Sequence, residues 1–218
     1  TRATLRNRSI NISVPNFLSR EEIFKEITKM KSWAKESILK NPEKFKSEQI
    51  KSYSDNQEIQ VGNDKYLLKI ELLNKAGSSA RINGNTIYLK ISSNLNELQR
   101  SDHIARLISR CIAQIKLPEV KKRVEELNSL HFQKEIKKIF LKYNISNWGS
   151  CSQKGNINIS TRALFAPLDV FDYLCIHELS HLTEQNHSDK FWNLVQKAMP
   201  DYKEKQKWLK QNGGNCKF

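Results

Sequence analysis

Residues 170–187 read Val170-Phe-Asp-Tyr-Leu-Cys-Ile-His177-Glu178-Leu-Ser-His181-Leu-Thr-Glu-Gln-Asn-His187. The apolar spacing of Val170, Phe171, Leu174, Leu179 and Leu182 is that of a helix with one buried side. On such a helix His177 and His181 stand one turn apart on one face, so both imidazoles can reach one metal ion. Glu178 lies beside them, placed to take a proton from a water that the metal activates. A catalytic zinc ordinarily takes three protein ligands, and His187 is the natural third. It cannot share the face of an unbroken helix, because six residues rotate its side chain by about 240° from His181. The helix must therefore end between the two. Asn186 is a reasonable residue for a left-handed turn there, and Ser188 can cap a new helix over 189–199. Three imidazoles make Zn²⁺ the default ion. Other readings stay open: a chance histidine pair, a closed structural zinc with Glu184 as fourth ligand, or a site that binds metal without turnover.

Outward from this stretch, Pro167 and Asp169 mark the start of the metal helix, and Pro200 ends the one over 189–199. A last short helix covers 201–211. Tyr143–Trp148, Gly149-Ser150-Cys151 and Asn156–Ser160 read as a hairpin directly before the metal helix. Further back, helices are expected over 96–116 and from Pro118 to about Lys142, with proline at the start of the second.

The first 93 residues look different. One or two short strands occupy 2–14. Ser19-Arg-Glu-Glu22 fits a capping box opening a helix that Asn41-Pro42 stops. Residues 43–56 read as a loop, and strands follow at 57–61 and 66–73. The turn Asn83-Gly84-Asn85 between Arg81-Ile82 and Thr86–Ile91 is a strong hairpin signal. The expected fold class is α+β, with a hairpin-rich unit over 1–93 and a metal-binding catalytic domain over 94–218.

The chain has 218 residues and a net charge of +14. The excess is spread over both halves, with 17 basic and 10 acidic residues in 1–95 and 20 and 13 in 96–218. Residues 163–202 run against it, with two Lys and no Arg against six acids. Such an excess suits an anionic partner, so a weak association with nucleic acid is an expectation. No block of Arg and Lys with interleaved aromatics appears, so solvated lysines on helix faces are the preferred explanation of the charge. The four cysteines are scattered, which argues against a disulfide framework and for reduced thiols in a cytoplasmic protein. No apolar run approaches the length of a membrane span, so no membrane partner is expected. Tyr202 is a candidate hydrogen-bond donor to a developing oxyanion. Cys151 is a less suitable nucleophile than a metal-activated water. His103 and His131 read as surface or packing histidines.

Trp148-Gly-Ser-Cys151, Gly155, Ala166-Pro167, Asp172-Tyr173, His177-Glu-Leu-Ser-His181, Asn186-His187-Ser188, Phe191-Trp192 and Pro200-Asp-Tyr-Lys203 occur in a characteristic order. In these motifs, over about residues 143–211, the chain resembles the YgjP-like metal-dependent hydrolases, zincin-like proteins related to the SprT-like group. The resemblance implies zinc held by His177, His181 and His187, with Glu178 catalytic. It implies a metallopeptidase; hydrolysis of nucleotide pyrophosphates at the same metal site is one alternative, and a nucleic-acid-associated metal-binding module, resting on the charge, is another. Two positions depart from the family's pattern: Asn147 stands where an Arg is usual, and Ser160 where an Asn is usual. The first bears on substrate binding beside the metal.

Overall fold

The computed structural model describes residues 1–6, 9–40 and 50–218. The helix stop read at Asn41-Pro42 and the start of the loop read at 43–56 lie outside these. Contacts divide the chain into two units, Thr1–Lys51 and Ser52–Phe218. The boundary expected near residue 93 falls inside the second.

In the first unit, β1 (Arg2–Arg6) and β2 (Ser9–Ser13) form an antiparallel pair, Arg2 opposite Ser13. Helix α1 (Arg20–Lys40) follows. Its capping box forms as expected, with the Ser19 amide donating to Glu22 Oε2 at 2.8 Å and the Glu22 amide to Ser19 Oγ at 3.4 Å.

The second unit has mixed α+β architecture around a long helix. Strands β3 (Glu58–Val61), β4 (Asp64–Leu73), β5 (Ser79–Asn83) and β6 (Thr86–Ser92) make one sheet in the order β3-β4-β6-β5. Both expected hairpins are present. The central pair β4·β6 is parallel, from Leu67 opposite Thr86 to Leu73 opposite Ser92. Gly62 turns the first hairpin at φ +61°, and a Cβ there would lie 2.9 Å from the Leu164 carbonyl oxygen. Both facts demand glycine.

Helix α2 (Glu97–His131) corrects two expectations. It opens on a capping box, Asn96 and Gln99 bonding each other's amides at 2.9 and 3.1 Å. It then runs for 35 residues straight through Pro118. Proline removes one helical bond and is costly in a helix interior. Here packing overrides that cost. Before the proline, Ile104, Leu107, Ile108, Cys111 and Ile112 are buried against Tyr66, Leu68, Ile87, Leu89 and Ile91 of the sheet. After it, Val120, Val124 and Leu127 enter a second core. Each fully buried side chain of this size contributes about 1.5–3 kcal/mol, so two anchored halves hold the helix together across one missing bond.

The helix does not reach Lys142. Gln133 takes a left-handed φ of +52°, and the Asn128 side-chain amide grips the Lys134 backbone at 2.7 and 3.1 Å. The chain turns back and Lys138–Lys142 becomes strand β7. Its Ile139 and Leu141 are buried and its lysines exposed, a period-two pattern. Residues 143–148 form a loop rather than a strand. Strand β8 (Gly149–Cys151) pairs antiparallel with β9 (Asn156–Ser160), and β7 pairs parallel with β9 on its other side.

A 3-10 turn (Thr161–Phe165) leads into α3 (Leu168–Ser180), then α4 (Asp189–Ala198) and α5 (Tyr202–Asn212). Arg123 of α2 holds Asp172 of α3 through two bonds of 2.8 and 2.6 Å, fixing the back of α3 to the spine. No described helix is long and apolar enough to cross a membrane.

Candidate metal centre

Helix α3 is buried along most of its length because it threads between α2, the small sheet, α4 and α5. Its last turn carries His177 and Glu178, and His181 is its C-cap. The helix ends where the spacing requires. Leu182 and Thr183 donate to the carbonyls of Leu179 and Ser180 at 3.0 and 3.1 Å, tightening the last turn. Ser188 then stands at the N-cap of α4, without a side-chain capping bond. Asn186 is not left-handed; Gln133 and Asn56 are the described non-glycine residues with positive φ. The turn closes instead through the Ser188 amide to the Asn186 carbonyl at 2.8 Å and the Gln185 side chain to the His181 carbonyl.

This geometry brings His177, His181 and His187 together, one ligand atom from each within 4.8 Å of the others. His177 Nε2 and His187 Nε2 face each other at 3.0 Å. The His181 Nδ1–H donates to the Glu184 carbonyl at 3.0 Å, which leaves its Nε2 as the lone-pair donor. Burial, with His181 and His187 alongside, pushes His177 down to about 3. Burial also lowers His181, against the Glu184 carbonyl. His177 and His181, whose charged forms burial disfavours, converge with His187 at the negative end of a helix dipole, a chemistry that a divalent cation completes. The donor set therefore fits zinc. Glu184 offers the cluster its backbone rather than its carboxylate.

Glu178 is 5% exposed and lines the same cavity, about 480 Å³, as the three histidines. Burial alone pushes its carboxyl up to about 8. Gly149 of β8 lies against it: a Cβ at that position would sit 2.5 Å from Glu178 Oε1 and 2.7 Å from Cγ. Gly149→Ala is therefore expected to swing the carboxylate away and lower turnover about 100-fold, since a displacement near 1 Å has that effect on a reacting group. Zinc content should stay at the wild-type level; kcat beside elemental analysis checks both.

The remaining walls are Asn147, Trp148, Ser150, Cys151, Tyr173, Leu174, Gln185 and Leu209. Cys151 reaches the cavity, but burial and then Glu178 push its thiol up to about 11, so it is no thiolate nucleophile. Tyr202 does not line the cavity. It is buried, and its ring stacks on Trp192 at 5.5 Å. Tyr173, one turn before His177, occupies the wall instead; its place on the histidine face was the available signal. Asn147 spans the β8 entrance, donating to the Gly149 carbonyl at 2.9 Å. Ser160 is buried and bonds the Asn144 carbonyl at 3.0 Å, away from the cavity wall. Three of the six acids of 163–202 form ion pairs and do not line the cavity: Asp169 and Asp201 pair with Lys205, and Asp172 with Arg123.

Over residues 2–212 the sequence matches a family model described as YgjP-like, metallopeptidase domain. The chain belongs to the YgjP-like family. It is accordingly a metal-dependent hydrolase of a metallopeptidase family, and its histidine triad is where that metal can sit. Among solved structures it is similar to the metallopeptidase zymogen of Pyrococcus abyssi abylysin, 24% identical with a TM-score of 0.39, covering 42% of this chain and 93% of that one. The metallopeptidase zymogen of Methanocaldococcus jannaschii jannalysin is 23% identical with a TM-score of 0.37, covering 42% and 94%. No curated protein matches significantly.

Proposed function

We propose that this YgjP-like protein is a zinc metallopeptidase in which His177, His181 and His187 hold the ion and Glu178 is the general base. Bound there, zinc would lower the pKa of a water and polarise the carbonyl under attack. Glu178 takes the proton of that water at its carboxylate and hands it to the departing amine nitrogen. Its burial suits the role, because a carboxyl raised towards neutrality is a better base and then a better acid at working pH.

The composition of the cavity favours an amide over a polyphosphate. Its walls are Trp148, Cys151, Tyr173, Leu174 and Leu209 with neutral amides and a serine, and no Lys or Arg among the described residues lines it. A nucleoside triphosphate brings several negative charges, which sites for phosphoryl groups meet with cations. The net charge of +14 lies elsewhere on the surface. Strand β8 adds a second support. Ser160 donates to the Trp148 carbonyl and Ser152 to that of Asn156, so the alternation of an antiparallel ladder turns the Gly149 and Cys151 amides towards the open edge. An extended peptide can add to such an edge, beside Glu178.

The test offers an unfolded protein and nucleoside triphosphates in parallel, each with and without chelator. Chelator-sensitive peptide-bond cleavage is expected. Pyrophosphate release without proteolysis would overturn the assignment of substrate, and cleavage that survives full zinc removal would overturn the mechanism.

A further inference from the structure

The bonds that hold the outer ring nitrogens of the three histidines differ, and the difference points to α4. His181 is tied by Nδ1 to a backbone carbonyl. His177 has its Nδ1 buried with no hydrogen-bond partner among the described residues. His187 is exposed, on a turn, and its hydrogen bond is the one to His177. Metal-binding histidines are ordinarily aimed by a bond from the second ring nitrogen. Two of these three lack one.

Aromatic rings stand in its place. Phe191 lies against all three imidazoles, at 4.9 Å from His177, 4.5 Å from His181 and 4.7 Å from His187. Trp192 stacks on His187, centroids 5.8 Å apart and planes 29° apart. Tyr202 of α5 also stacks on Trp192, 5.5 Å away at 17°. Trp192 also stands edge-to-face on Phe191 at 5.0 Å. Separations of 4.5–7 Å are those of attractive ring pairs. The exposed ligand is thus the end of a three-ring stack whose other end is buried in the core.

We infer that Trp192 is a positioning residue for His187: its indole fixes the imidazole plane and so pre-forms the third arm of the metal site. The inference rests on the reading of His187 as a ligand. Rotation of His187 on its turn is restrained by stacking rather than by a hydrogen bond, and a flat side chain of similar reach preserves that restraint whereas a branched aliphatic one does not.

The experiment is zinc titration of the metal-stripped protein against a chromophoric chelator, for wild type, Trp192→Phe, Trp192→Leu and His187→Ala. Circular dichroism of each metal-free form controls for folding. Trp192→Leu is expected to weaken zinc about 10–100-fold, the effect of losing an outer-shell partner. Trp192→Phe should stay within about threefold of wild type, because a ring is restored. With Co²⁺ in place of zinc, Trp192→Leu should also lose the intense visible absorption of a four-coordinate ion. Should Trp192→Leu fail to fold, Trp192→Met carries the same expectation, since its flexible unbranched chain fills an irregular gap without supplying a ring. Wild-type affinity and spectrum in a folded Leu or Met variant, with zinc lost in His187→Ala, would overturn the role of Trp192 alone. Wild-type affinity in His187→Ala would instead overturn the ligand assignment beneath it.

Discussion

Glu178→Gln is expected to abolish hydrolysis and, at the same time, to stabilise the metal-free protein. The first effect follows from losing the proton acceptor, a loss of about 100-fold or more in kcat. The second follows from burial, which raises the Glu178 carboxyl from 4.5 to about 8 in the folded chain. Between those values the folded protein holds a proton that the unfolded chain has released. Stability then falls as pH rises, by about 1.4 kcal/mol per pH unit, and the loss is complete above pH 8. Glutamine keeps the shape without the charge and removes the slope. His177 acts at the other end. Lowered from 6.5 to about 3, it stays neutral where the unfolded histidine takes a proton, so stability is lost as pH falls through that window. From about 4.5 to 6.5 the Glu178 and His177 slopes oppose each other, and His181, which burial also lowers, tips the balance towards a rise with pH. Metal-free wild type should therefore be most stable near about pH 6.5 and lose stability above it, whereas Glu178→Gln should keep gaining up to about pH 6.5 and hold level above it. Denaturant melts at pH 4, 5.5 and 8.5 read this directly; equal stability of the two proteins at pH 8.5 would show that Glu178 is solvated.

The metal segment was legible in the sequence because its constraints are local. Helical spacing places His177, Glu178 and His181, and the rotation per residue forces a break before His187. The Ser188 boundary follows, although Asn186 closes the turn without a left-handed residue. The hairpin turns at Gly62 and Gly84 were legible for the same reason. What was not legible depends on partners distant in the chain. Pro118 is a strong local signal for a boundary, and only burial of α2 on two separate cores overrides it. The Lys138–Lys142 alternation was visible but short, and Asn128, which ends the helix through Lys134, gives no pattern of its own. Gly149 shows its meaning only when Glu178 is set against it. Phe191 is buried and Trp192 packs against the same core; that these rings form the floor of the histidine triad required the path of α4 back across α3.

Stripping the metal should lower the thermal midpoint of this protein without unfolding it. A closed structural zinc has four protein ligands and supplies much of the folding free energy of its domain. Here three histidines converge, no fourth His, Cys, Asp or Glu joins them among the described residues, and the cluster opens on a cavity. The core behind them is built from Ile157, Ile159, Leu174, Ile176, Leu179, Phe191 and Val195, all buried whatever the triad holds. Zinc then adds to an already folded chain the mass-action term for a ligand of the native state, about 4 kcal/mol at a thousandfold excess over Kd. In a chain of this length that corresponds to roughly 10 °C in Tm. His181→Ala and His187→Ala should melt cooperatively and show little or none of the zinc-induced rise, since each leaves two imidazoles. Loss of the cooperative transition on chelation would mark the zinc as structural, and a full rise in His187→Ala would remove that histidine from the site. Because Glu178 is raised by its own burial and not by the histidines, the pH-dependent gain of Glu178→Gln should survive in the His187→Ala background.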